Sequence, residues 1–499
     1  MISVSILAPL LAALIIFMLR DGGKGSAAAK RNGALAVLAT LVSFVSAIVM
    51  QRRFAANYAE SQLREVLWTS GGSGINLSFA VDGISMPLFL TAGLLFFVAA
   101  LFSVSTLRLQ IANAGAETGS RVFWSMFLLL ESVVLGIFSA YNFIAFFALW
   151  ELFLIPLVIL LWRYGLEERQ KAAMNFFIYT FASSAFMIAA FVAIVYHVPR
   201  VGGDFDFKSV FNTEMANMPA DKQRLLFLFF MAAFLVKMPI FPFHAWLPLT
   251  HTQAPVGTLL LSGLFLKLGS YGVLRFVTPN FTGVLIDWGS AFMWLGIISM
   301  FYGAFAAYRQ KSFRFVIAYS SLAHMGLILS GALSRQEHAV AGAMLQNVGH
   351  SLANALLFMV VCVNLARNKS DSLEEMRVPA GFSYWAFFSL AMFSAIGVPG
   401  TIGFLGEFLI LYGLSYKSWW IAVAAVMTLV LSATYMLRLF HKVRSGPADP
   451  EFRLNWLEKL SMALIAIPIL WFGIFPSFLA EYAQTTARLI AHGVAGVIR

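Results

Sequence analysis

Fourteen apolar runs, each about the 20 residues that an α-helix needs to cross the hydrocarbon of a bilayer, follow one another along this chain of 499 residues. They lie near 1–19, 33–50, 84–103, 122–141, 143–162, 172–196, 225–247, 255–276, 283–305, 313–333, 338–364, 383–413, 419–439 and 459–480. A backbone in lipid must satisfy its polar groups internally, so runs of this length predict helices. Charged residues make up 11% of the chain, against about 25% in a soluble domain. That is too few to cover a water-soluble core. It excludes a cytosolic enzyme, a secreted disulfide scaffold and a disordered chain. The expected fold is all-α and polytopic, with about 14 transmembrane helices in a lipid bilayer.

The net charge is +11. Its Lys and Arg sit in the turns between apolar runs and not on one wet face, which orients a membrane protein and predicts no nucleic-acid partner. The first run lacks a basic start and a small-residue cleavage site, and Arg20 and Lys24 follow it. It reads as a retained helix that starts outside. On that scheme the inside loops hold 20 Lys and Arg and the outside loops 12, with Lys237 and Lys267 completing the 34. Both termini are then outside. The longest loop, near 197–224, carries Asp204, Asp206, Lys208, Asp221 and Arg224 and reads as a short structured cap. Residues 481–499 read as a short surface helix. Cys362 is the one cysteine, so no disulfide, iron–sulfur cluster or Cys-rich zinc site is built within the chain.

Two runs are broken in the middle, at Lys237-Met-Pro-Ile-Phe-Pro-Phe-His-Ala-Trp-Leu-Pro248 and at Gly397-Val-Pro-Gly-Thr-Ile-Gly-Phe-Leu-Gly-Glu407. Proline removes a backbone donor and clashes with the preceding turn. At membrane depth such breaks need surrounding protein or water. They fall in the seventh and twelfth spans. That spacing predicts two inverted five-helix repeats, spans 4–8 and 9–13, with the pathway at the breaks. The expected divisions are 1–121 for spans 1–3, 122–276 and 277–440 for the repeats, and 441–499 for the last span and tail.

Inside the spans stand Glu131, Glu151, Lys237, Lys267 and Glu407, with His324 and His350. Each charge at a helix centre costs roughly 2.5–3.5 kcal/mol on insertion scales, so these groups face the bundle interior or water. Lys237 lies too deep to snorkel to the headgroups. The structural alternative for Glu151 is an ion-pair partner for a lysine, that for Glu407 is a helix-end carboxylate near the surface, and that for each histidine is a simple hydrogen bond. His324 and His350 sit among Ser320, Ser321, Asn347 and Ser351, polar company that suits proton relay. His244 and His251 flank the seventh-span break and are weaker candidates. Glu131, at mid-span 4, serves structure or pathway equally well. No HxxxH or HExxH spacing, Walker loop, dinucleotide fingerprint or nucleophile elbow occurs.

A carboxylate about 5 Å from a lysine at an effective dielectric near 20 contributes roughly 3 kcal/mol. Moving one proton against about 150 mV costs roughly 3.5 kcal/mol. Making and breaking one such pair therefore matches the work of moving a proton uphill.

Phe79-Ala-Val-Asp-Gly-Ile-Ser85, Trp150-Glu-Leu-Phe-Leu-Ile-Pro156, the Phe234–Pro248 stretch around Lys237, Leu264-Phe-Leu-Lys-Leu-Gly-Ser-Tyr-Gly272, Ala318-Tyr-Ser-Ser-Leu-Ala-His-Met-Gly326 and Gly397–Phe408 run in one order through nearly the whole chain. In these the chain resembles the antiporter-like membrane subunits of respiratory complex I, the proton-translocating NADH–quinone oxidoreductase. Glu407 resembles the branch with glutamate, where relatives carry lysine, and the chain ends without a long lateral extension. Tyr141-Asn142 stands where many relatives have an acidic residue. The resemblance implies Glu151 as ion-pair partner, Lys237 as pumping lysine, Lys267 as connecting lysine, His324 and His350 as a hydrated central axis, and Glu407 as the outlet group. It implies NADH and quinone as substrates of the whole complex, with FMN and iron–sulfur clusters on other chains and no cofactor or metal in this one. It implies the related antiporter-like chains L and N as partners. The expected location is a bacterial inner (plasma) membrane, with the mitochondrial inner membrane as alternative. A cation/proton antiporter subunit is the competing class, and a structural membrane scaffold the third.

Overall fold

The computed structural model describes residues 1–19, 26–56, 62–69, 76–114, 119–197, 204–211, 215, 217–254, 261–368, 370–374, 376–379, 381–449 and 452–491. Arg20, Lys24 and the tail beyond 491 lie outside these. Among the described residues, ten helical spans are long and apolar enough to cross a membrane alone. Among them are α2 (Ser26–Ala56), α3 (Ser85–Ala114), α4 (Ser120–Ser139) and the fifth crossing, which is interrupted at Phe153 into α5 (Phe143–Leu152) and α6 (Leu154–Tyr164). The sixth crossing is α7 (Arg169–His197). A four-residue turn, α8 (Phe207–Val210), is buried within the 197–224 cap.

Four more crossings come from shorter pieces. The first is α1 (Ile2–Met18). The seventh is α9 (Ala220–Lys237) followed, after a break, by α10 (Trp246–Gln253). The eighth carries wide five-residue π turns, Leu261–Phe265 and Val273–Val277, on either side of α11 (Leu266–Gly272). The remaining long helices are α12 (Thr282–Arg309), α13 (Phe313–Leu333), α14 (Glu337–Asn368), α17 (Trp419–Arg444) and α18 (Trp456–Ile474). The twelfth crossing is broken between α15 (Phe382–Ala395) and α16 (Ile402–Lys417). The fold is thus all-α, with fourteen crossings among the described residues, and the two expected breaks are five crossings apart. The surface helix is α19 (Ser477–Ala491), whose Leu479, Ala483, Ala487 and Ile490 share one buried face.

One element was not expected. Strands β1 (Gln62–Thr69) and β2 (Asn76–Asp82) form an antiparallel hairpin between the second and third crossings. Short β3 (Val378–Pro379) and β4 (Ala448–Asp449) pair in parallel.

Contacts between loops sort into two sets. At one end Leu166 N donates to Gln253 O (2.8 Å), Phe313 N to Asp371 O (3.0 Å) and Val378 N to Pro447 O (3.0 Å). Arg367 grips Glu458, the capping-box residue of α18, with hydrogen bonds of 2.9 and 2.7 Å. At the other end Tyr141 N donates to Ser78 O (3.0 Å) and Phe143 N to Phe205 O (2.8 Å). Arg64–Asp206 and Arg224–Asp287 are ion pairs of 2.7 Å there. Alternating up-and-down crossings produce this partition.

Helices α13 and α14 are buried on nearly every side, which puts them at the centre. Gly289, Gly296 and Gly303 make a stripe on α12, and a methyl at Gly296 would come within 2.6 Å of the Gly326 carbonyl on α13. Small residues allow this close approach, the usual basis of helix packing in lipid. Large apolar residues such as Leu14, Phe181, Val192, Val430 and Ile467 remain exposed on the outer face, where acyl chains cover them.

Candidate functional site

The seventh crossing ends its first half at Lys237 because Pro239 and Pro242 cannot continue the helix. The carbonyls freed by the break are satisfied locally. Met238 N donates to Phe234 O (2.8 Å) and Ile240 N to Leu235 O (3.0 Å), and the Trp246 indole donates to Val236 O (2.9 Å). The break is therefore a finished structure that holds a lysine at mid-crossing. The fifth crossing loosens at the same place. Pro156 has no N–H for the Leu152 carbonyl, and the helix is interrupted just after Glu151.

Lys237 is fully buried. Its ammonium lies 4.0 Å from the centroid of the Trp150 ring, 5.8 Å from Phe153 and 5.7 Å from Phe265. It has no hydrogen-bond partner, and no ion pair with Glu151 is formed, although the carboxylate acts on it electrostatically. A desolvated cation–π contact is worth about 2 kcal/mol or more. That is comparable to the roughly 2.5–3.5 kcal/mol cost of a lysine at mid-membrane.

From Lys267 a file of buried polar and ionisable side chains runs into the second half. Lys267 hydrogen-bonds His350 Nδ1. Asn354 Nδ2 lies 3.0 Å from His350 Nε2 and donates to Ser321 Oγ at 2.6 Å. The His350 and His324 rings are 5.1 Å apart between centroids. His324 Nδ1 is 3.4 Å from Glu407 Oε1, which also accepts from Gln346 Nε2 at 3.2 Å. Ser270 Oγ donates to Asn347 Oδ1 at 2.6 Å. Every member is buried. The twelfth-span break wraps the end of this chain. Gly397 has φ +68°, and a methyl there would run into Glu407 Oε2, so the loop closes on the carboxylate only with glycine.

The candidates are not all brought together. Lys267, His350, His324 and Glu407 form one chain, while Lys237 and Glu151 form a separate group beside it. Glu131 is buried on α4 next to Ser43 of α2, and Ser132 donates to Ile6 O of α1 (2.8 Å), so this face looks to the N-terminal helices. His251 is buried on α10, within electrostatic range of Lys267 and His350. His244 stacks on Phe241 and meets Tyr302 edge-on instead. Asn142 caps α5 by accepting from Ile144 N at 2.9 Å.

Sequence reasoning missed two features. The aromatic box around Lys237 was signalled only by Trp150 standing next to Glu151. The second is Arg275, which charge counting assigns to a loop. It is buried on the eighth crossing and holds Asp82 through two hydrogen bonds of 2.5 and 2.7 Å. Asp82 was visible as the acid of the Phe79–Ser85 motif. Among the described residues no three His, Cys, Asp or Glu side chains converge as a metal site.

Residues 140–432 match the family described as NADH:quinone oxidoreductase/Mrp antiporter, transmembrane. The NADH-quinone oxidoreductase subunit M of Rickettsia felis is 33% identical over 487 residues, 95% of each chain. NADH-ubiquinone oxidoreductase chain 4 of Marchantia polymorpha is 30% identical, over 98% of this chain and 96% of its own. Among solved structures, a chain of respiratory complex I from Thermus thermophilus with bound NADH matches with a TM-score of 0.86 and 25% identity, over 99% of this chain and 100% of its own. A chain of the Mrp complex from Dietzia shares the fold, with a TM-score of 0.80 at 19% identity, over 98% of this chain and 52% of its own. The chain belongs to the antiporter-like membrane subunits of NADH:quinone oxidoreductase, in the group of subunit M and chain 4.

Proposed function

We propose that this chain is a proton-translocating membrane subunit of NADH:quinone oxidoreductase, driven at a distance by electron transfer in other subunits. The observation that carries the reading is the buried Lys267–His350–His324–Glu407 chain, which begins at a π-bulged helix and ends at a broken one. Lysine, imidazole and carboxylate can each take up and give back a proton. Lys267 shares a hydrogen bond with His350. The 5.1 Å between the two imidazole rings and the 3.4 Å to Glu407 are spans that ring reorientation or one bridging water closes. In this reading Lys237 and Glu151 form the switch of the first half, and Glu407 hands protons to the outlet of the second. Glu131 is a supporting group at the N-terminal helices. The divisions 1–121, 122–276, 277–440 and 441–499 organise the chain accordingly.

FMN and iron–sulfur clusters belong to partner chains in this reading. A single buried cysteine, Cys362, does not fit a cluster that takes four thiolates. The partners are the other membrane subunits, with chains L and N among them, and the membrane is the bacterial inner membrane. The match to subunit M along the full length favours this over a cation/proton antiporter subunit. The test is proton movement per NADH oxidised in membranes carrying assembled Lys237→Ala and Lys267→Ala variants. The expected result is a lower ratio in both. Intact assembly with an unchanged ratio overturns the reading in favour of a scaffold.

A further inference from the structure

Lys237 sits between two neighbours of different chemistry. Trp150 and Glu151 are adjacent on the last turn of α5, so one helix end offers the amine both an indole face and a carboxylate. In this structure the ammonium is on the indole, 4.0 Å from its centroid, with Phe153 and Phe265 also within 6 Å. Three rings within about 6 Å of one cation form a cage of the kind that recognises ammonium groups. The rings are fixed by one another. Phe153 stacks on Phe265 (4.9 Å, 12°), Phe265 meets Trp246 edge-on (5.2 Å), and Trp150 meets Phe234 edge-on (5.8 Å). The box is therefore rigid, while the long lysine stem is not.

Resting on the function proposed above, we propose that Trp150, with Phe153 and Phe265, is a positioning cage that gives the Lys237 ammonium a second resting place when it leaves Glu151. A ring face attracts the charged amine and does little for the neutral one. The lysine can leave the carboxylate and still keep its proton until a later step takes it. The move is a rotation of one side chain and needs no helix displacement. Phe265 also stands two residues before Lys267, and positions i and i+2 of a helix do not face each other. The cage therefore lies off the face that carries the next amine.

Few other charges reach this box; Glu131 on α4, which packs against α5, turns to the N-terminal helices. Glu151 is the titratable group that α5 presents. The eighth crossing contributes Lys267 and Arg275, the latter held by Asp82. Beyond the break stand His244 and His251. Arg169, Lys171 and His197 lie at the ends of α7, and Asp287 on α12 is paired with Arg224.

The test is the pH profile of proton translocation by the assembled complex carrying Trp150→Leu or Trp150→Phe, with Lys237→Ala alongside. In Trp150→Leu the alkaline limb is expected to move to lower pH by about one unit. Trp150→Phe, which keeps a ring, should move it less in the same direction, and it stands in if the leucine variant fails to assemble. A purely packing role for Trp150 lowers the amplitude and leaves the limb in place, and that result overturns the cage while leaving the function intact. An unchanged ratio of protons to NADH in Lys237→Ala overturns both.

Discussion

At the scale of single residues, the chain handles its buried charges in three ways. Lys237 is set against rings, Lys267 against an imidazole, and Arg275 against a carboxylate. The last pair is built for position. Asp82 accepts from Ser85 N and Ile84 N at the start of α3 while it grips Arg275, whose Nε donates to Tyr271 Oη at 3.2 Å. One carboxylate thus caps α3, ends the hairpin and fixes the eighth crossing two turns from Lys267. Removing one partner of a buried pair strands the other charge, at about 3–5 kcal/mol, whereas replacing both by apolar residues is often near neutral. Asp82→Ala should therefore sharply lower the thermal stability with which this chain is retained in the complex. Asp82→Leu combined with Arg275→Met should recover most of it. Equal losses in the two would show that the cost is the lost cap of α3 and not the stranded Arg275 charge.

At the scale of elements, the joints between crossings are where ionisable residues meet water. Arg314, at the start of α13, donates to the Thr252 carbonyl at the end of α10 and, at 2.8 Å, to Asp371 in the following loop. Ser312 also donates to Asp371, at 2.5 Å. Burial alone would raise the Asp371 carboxyl, but the Arg314 hydrogen bond and charge hold it below the ordinary aspartate range. A carboxyl depressed in the folded state contributes its full stability above the unfolded value of about 3.9, and loses it as pH falls through the lower folded value. Asp371→Asn should cost on the order of 1 kcal/mol at pH 7. The difference in melting temperature from the unaltered chain should shrink below about pH 4; a gap that stays constant across that range contradicts the assignment.

The element scale also shows what the sequence allows one to read. The crossings and both breaks were legible because apolar length and Pro-Gly placement are local signals. The hairpin was not, since Gln62–Thr69 is short and mixed in polarity. The π turns around Lys267 were not either, because Leu-Ser-Gly-Leu-Phe and Val-Leu-Arg-Phe-Val are unremarkable as apolar helix. The types of residue on the central chain were readable from their rarity in lipid. Their partners were not, because nothing in Trp150-Glu151 says which of the two side chains turns toward the amine.

For the whole molecule, the burial of α13 and α14 places the Lys–His–Glu chain in the middle of the bundle, and the two sets of loop contacts place the joints they touch at one end or the other. The charge bias assigns the end bearing Lys311 and Arg377 to the cytoplasmic side and the end bearing Lys222 and Asp287 to the opposite side. These four positions are exposed, and Cys362 is the one cysteine, so single cysteines can report on sidedness in a Cys362→Ser background. With a membrane-impermeant thiol reagent on intact cells, Lys222→Cys and Asp287→Cys should label at once. Lys311→Cys and Arg377→Cys should label only after the membrane is opened. The reverse pattern would keep the alternation and invert the orientation. Labelling of Lys222→Cys and Lys311→Cys from the same side would require an even number of crossings between them, whereas α9 with α10, the eighth crossing and α12 make three.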